Sequence, residues 1–277
     1  MRIKYSMIDK LSNLTSTEMN FLLFIARLQD LTGSVIGVYQ KDVCKHTGMS
    51  KQSFYNAMRG LEEKGIVKVE RNSKIDYDIT ILDNDFSYEG AFQEGYINLH
   101  RKVFRSKAFH KLKGGEKYLL LCFLKVSYNN HSVYRIGMEK FYEKYTEVLR
   151  GSKRVIRSYL HALRSYFQIW IKNGVYQIKN RSSVFEIDGP GEKGVEAWEH
   201  EHFVKVWCRR NKIHSVNPKD KSDTAGLIKQ YRSIAKERGI HIKGTLANVI
   251  RDSVQGIPPK KRKLKPKLIH KMIGQIL

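Results

Sequence analysis

The chain has 277 residues, 41% of them hydrophobic, enough for two or three small domains that each bury a core. Its 51 Lys plus Arg against 27 Asp plus Glu leave a net charge of +24, which implies a polyanionic partner. The longest apolar run, residues 118–124, falls far short of the ~20 residues of a membrane span, and "MRIKYSMIDK" lacks a secretory apolar stretch, so a cytosolic protein is expected.

Taken in chain order, Thr15 with Glu18 three residues on reads as a capping box, with Leu14 and Met19 as a hydrophobic staple. The helix it opens runs to about Leu31, and its apolar positions Met19, Leu22, Leu23, Ile25 and Ala26 recur at helical spacing. "LTGSVIGVY" then supplies a Gly stop and a short β-branched strand. "QKDVCKHTG" reads as a second short helix ended by Gly48; Ser50 caps a third over residues 51–64, which Gly65 ends. "IVKVERNSKIDYDITIL" alternates as two strands around a polar turn at residues 72–74.

Nearly the same order recurs. After the extended "GYINLHRKVF" come a helix over 115–127, a strand "SVYRI", a helix over 138–149, a turn at Gly151-Ser152 and a basic helix over 153–167. "IWIKNGVYQIK" closes the repeat as a hairpin with Asn173-Gly174 at its tip. The polar, Gly/Pro-bearing "RSSVFEIDGPGEKG" marks a linker, and helices over 195–211, 222–238 and 245–255 and after Pro266 follow, interrupted by "PPKKRKLKPK".

Helix, strand, helix, turn, helix and hairpin resemble a winged helix-turn-helix in its MarR-like and replication-protein versions. The resemblance covers about residues 14–82 and rests on Gly48, Ser50 and "LEEKGIV" from Leu61 to Val67. The fold expected is mainly α with small β-hairpin wings, an α+β class: a first winged domain over 1–90, a second over 91–180, a linker over 181–195 and a basic helical C-terminal domain over 196–277. Two winged domains in tandem resemble the replication initiators of bacterial plasmids and phages, which implies binding of double-stranded DNA at an origin. A transcription regulator, a DNA-partition protein and a DNA-processing enzyme are the alternatives.

On a wheel of the first basic helix, Phe54, Ala57, Met58 and Leu61 face inward and Lys51, Gln52, Ser53, Tyr55, Asn56 and Arg59 are candidates to contact DNA, since amides pair with adenine edges and Arg or Lys with guanine. In the second, Ile156, Tyr159, Leu160, Leu163 and Phe167 point inward, leaving Lys153, Arg154, Arg157, Ser158, His161 and Arg164 outside. No acidic residue lies between Val148 and Phe185. Like charges on one helix face cost about 0.2–0.5 kcal/mol per pair, so an external anion is the natural compensation. Wing residues Arg71, Lys74 and Lys172 are candidates for backbone contacts, and Lys260, Lys261, Arg262 and Lys263 for a phosphate tether; residues 201–277 alone carry +14.

Cys44, Cys122 and Cys208 are far apart among apolar neighbours and read as core residues of a reducing compartment. His200 and His202 lie about 200° apart on a helix, and no CxxC occurs, so no metal is expected. With no phosphate loop, nucleophile elbow or HExxH, no enzyme activity and no cofactor are expected either. For partners the sequence gives double-stranded DNA, with a second copy of the chain and the replication machinery as further candidates, and no membrane.

Overall fold

A computed structural model describes residues 1–87, 94–99, 103, 107–127, 133–181, 192–240 and 242–277. Most of the expected linker, and part of the extended stretch after Tyr96, lie outside the described residues. The chain divides into two compact units, one of residues 1–70 and 78–188, the other of residues 71–77 and 189–277. Both sets of helices and strands that repeat in the sequence therefore lie in the first unit.

That unit opens with β1 (Arg2–Lys4) and α1 (Tyr5–Asp9), which were not legible as elements. β1 pairs antiparallel with β5 (Tyr96–Asn98), placing the buried Ile3 opposite the buried Ile97. α2 (Ser16–Ala26) begins at the expected capping box: Thr15 Oγ1 accepts from the Glu18 amide and the Glu18 carboxylate accepts from the Thr15 amide at 2.7 Å. It ends at Ala26, earlier than expected, because the chain turns before β2 (Ser34–Val38). α3 (Gln40–Thr47) stops at Gly48, whose φ of 73° is a left-handed conformation that disfavours a side chain. α4 (Lys51–Glu63) follows, and β3 (Val67–Glu70) and β4 (Tyr77–Ile81) complete a sheet of order β2-β4-β3.

The second set keeps this plan. After α5 (Lys107–Lys111) come α6 (Gly114–Val126), β6 (Tyr134–Gly137), α7 (Met138–Val148), α8 (Lys153–Ala162), β7 (Phe167–Lys172) and β8 (Val175–Asn180). The sheet order β6-β8-β7 repeats that of the first set. α8 is shorter than expected: residues 163–165 tighten into a 3-10 turn and Phe167 already belongs to β7. Periodicity could not signal that stop, because Ile156, Leu160, Leu163 and Phe167 are all buried and follow helical spacing through the transition.

α6 joins the two sets. Residues 118–124 are buried all round, so this part of the helix is covered on every side. It packs against α1, α2 and β5 and also against α8 and β8. Its first turn comes so close to α2 that a Cβ on Gly114 would lie 3.0 Å from the Ser16 amide nitrogen, while the Gly114 amide donates to Ser16 Oγ at 2.9 Å. On the other side Phe123 meets Phe167 edge-on at 5.4 Å and Tyr145 at 6.2 Å.

The second unit consists of α9 (Glu192–Arg210), α10 (Pro218–Glu237), α11 (Ile242–Ser253) and α12 (Pro266–Ile276), with residues 71–77. α9 starts inside the stretch expected to be linker. α10 starts four residues before the expected Ser222, with Pro218 in its first turn and the Asn217 side chain accepting from the Lys219 amide at 3.0 Å. The core includes Phe203, Val204, Ile228, Leu246, Ile250, Ile269 and Ile273. Within it Asp76, 1% exposed, pairs with Arg210 at 2.9 Å. No helix of the described residues is long and apolar enough to cross a membrane.

Candidate nucleic-acid interface

α4 is held by its apolar stripe: Phe54, Ala57 and Leu61 are buried, and Phe54 meets Phe21 of α2 edge-on at 5.3 Å. Ser50 caps it, accepting from the Ser53 amide at 3.1 Å, and the Ser53 hydroxyl is engaged with that of Ser50 at 2.9 Å. Lys51, Gln52, Asn56 and Arg59 are exposed; Ser53 and Tyr55 are half-buried. Gln52 Nε2 donates to Asn56 Oδ1 at 2.9 Å, so the two amides one turn apart form a linked pair with donors and acceptors still open.

The C-terminal end of α4 is tied back to α2. A Cβ on Gly60 would fall 2.1 Å from Glu18 Oε1, and Lys64 reaches Glu18 Oε2 at 2.6 Å. Burial works to raise the Glu18 carboxyl, but Lys64 and the amide and hydroxyl of Thr15 outweigh it and leave it below the usual range. This carboxylate therefore serves the start of α2 and the orientation of α4 together.

α8 is capped by Ser152, which accepts from the Val155 amide at 3.4 Å, and buries Ile156 and Leu160. Lys153, Arg154, Arg157, Ser158 and His161 are exposed on it, and Arg164 is exposed on the 3-10 turn that follows. Among the described residues no carboxylate pairs with Lys153, Arg154, Arg157 or Arg164. Tyr159, expected to point inward, is half-buried, with its ring against Gly115, where a Cβ would lie 2.7 Å from Cε2.

Two residues that sequence reasoning did not single out support this row. The hydroxyls of Tyr142 on α7 and Tyr176 on β8 lie 2.7 Å apart, beside Arg157 of α8. Interaction with Tyr142 raises the Arg157 pKa above its ordinary value, and burial with the Tyr142 bond pushes Tyr176 up to about 12. Lys153 lies 6.0 Å from the Tyr142 ring centroid. Helical periodicity marks Tyr142 only as an α7 residue; its link to α8 depends on register across the sheet.

The remaining candidates are placed differently. Lys172 is exposed beside the hairpin tip, where Asn173 and Gly174 take φ of 50° and 72°, the left-handed pair a two-residue turn requires. Arg71 and Lys74 are exposed but belong to residues 71–77, which cluster with the second unit rather than with α4. Lys260, Lys261 and Lys263 are exposed, whereas Arg262 is half-buried and donates to the Ile257 and Asn211 carbonyls, each at 2.8 Å. Arg262 thus holds the end of α9 to the turn before it, a structural duty the tether reading did not foresee. Among the described residues no group of His, Cys, Asp and Glu could hold a metal ion.

A helix-turn-helix with a hairpin beside it, and a basic helix presenting polar side chains, define a winged-helix DNA-binding protein. Comparison with known families bears on the first set: a model of the MarR family matches residues 12–74. No curated protein and no solved structure matches the chain.

Proposed function

We propose that the chain is a sequence-specific double-stranded DNA-binding protein that acts as a transcription regulator, with α4 and α8 as its major-groove helices. The observation that carries the reading is the exposed row Lys153, Arg154, Arg157, His161 and Arg164, which no carboxylate of the described residues neutralises. A row of that kind gains by displacing counter-ions from phosphates. The MarR-family match over α2, α3 and α4 supports regulation as the role. Replication initiation, the other reading the sequence suggested, has in its favour the repeated order of elements in one compact unit. Lys51, Gln52, Asn56 and Arg59 would meet base edges and phosphates in one half of the site, and the α8 row would supply most of the affinity.

Replacing Arg154 and Arg157 together by Ala should weaken duplex binding strongly and reduce the slope of log K against log salt by about one unit for each phosphate no longer neutralised. An unchanged titration would overturn the assignment of α8. Footprinting of the purified protein separates the two roles: one inverted repeat over a promoter supports the regulator, and direct repeats at an origin support the initiator.

A further inference from the structure

The three-stranded sheet of the second set has two unlike faces. Pairing runs Trp170 to Gln177 and Gln177 to Arg135, Gln168 to Lys179, and Lys172 to Val175. Because side chains alternate across a strand, these positions share one face, while Phe167, Tyr176 and Ile178, all buried, share the other. α6 and α7 pack on β8, and the buried face turns toward them. On the opposite face Arg135, Gln168, Trp170 and Lys172 are exposed and Gln177 and Lys179 half-buried. Trp170 is 38% exposed, and none of the six is acidic.

We propose that this outer face binds single-stranded nucleic acid, with Trp170 stacking on a base and Arg135, Lys172 and Lys179 taking the phosphates. A sheet face that carries an aromatic ring among cations suits unpaired bases, because each base has a π-face that a duplex keeps stacked away. Gln168 and Gln177 flank the ring with amides that both donate and accept, as base edges require. Cations without an acidic neighbour on the face favour a polyanion over a neutral protein surface. The face is distinct from the α8 row, so this inference extends the proposed function to a second nucleic-acid form without depending on the major-groove assignment.

The test uses the full chain and fluorescein-labelled oligothymidylate of about 20 nucleotides, long enough to cover a typical single-strand site, beside a duplex of equal length. Wild type should bind the single strand, with quenching of Trp fluorescence. Trp170→Ala should lose roughly 10-fold in single-strand affinity and most of the quenching, keep its duplex affinity, and retain its thermal unfolding midpoint; Trp170→Phe should keep most of the binding. The Arg154→Ala, Arg157→Ala double variant should show the reverse pattern. Absence of single-strand binding by wild type, or equal single-strand affinity in Trp170→Ala, would overturn the proposal. Parallel loss of duplex binding in Trp170→Ala would overturn it too, by making Trp170 part of the duplex site. Oligouridylate of the same length identifies the preferred sugar, and tighter binding of either strand supports the platform.

Discussion

Tyr142, whose hydroxyl lies 2.7 Å from that of Tyr176, interacts with Arg157, which remains exposed on α8. A long side chain tethered at one point loses less rotamer freedom when it meets a phosphate, so the tether should act on affinity. Tyr142→Phe is expected to reduce duplex affinity several-fold in the wild-type background and to add nothing once Arg157 is Ala. A double-mutant cycle on the binding constant checks this, and independent, additive losses would refute it. The sequence exposed Arg157 readily, through helical spacing and the absence of nearby acids. Tyr142 was hidden, because its partner comes from a strand 34 residues away, and no local pattern reports which hydroxyls meet across a sheet.

At the scale of elements, the junction of α2 and α4 is set by a contact in which a glycine and a carboxylate interlock. Gly60→Ala would gain about 1 kcal/mol of helix propensity, but its Cβ displaces a clamped Glu18 side chain, and such overpacking costs about 1–3 kcal/mol. We expect net destabilisation, read as a lower denaturation midpoint. The carboxyl of Glu18 is lowered in the folded state, so its contribution is complete above the ordinary carboxylate pKa and is lost as pH falls through the lowered value. Glu18→Gln should therefore lower stability at neutral pH and flatten the acid side of the stability profile; an unchanged acid limb would contradict that account. The capping box was visible in the sequence because both halves lie in one turn. The Lys64 and Gly60 contacts were not, since they join residues more than forty positions apart. The end of α8 was equally illegible, because the helical pattern and the first strand residue share one buried position, Phe167.

At the scale of the whole molecule, composition implied a polyanionic partner, and the order of elements implied a repeat, whose two sets of elements lie in one compact unit. Composition did not show that residues 71–77 cluster with the helical unit. There Asp76 and Arg210 form a buried pair, and removing one member of such a pair strands the other charge at a cost of about 3–5 kcal/mol. Arg210→Met should lower the unfolding midpoint of the full chain sharply, while Asp76→Asn together with Arg210→Met should recover part of the loss.

The helix α6, buried all round over residues 118–124 between the two repeated sets, allows little sliding of one set past the other. A single copy would then behave as a caliper rather than as two hands on a string. If both basic helices engage one duplex, five extra base pairs between their contact sites, about half a helical turn, should abolish joint engagement, and a full turn should fail as well unless the DNA bends. Tolerance of such insertions would mean that only one of the two helices touches the groove.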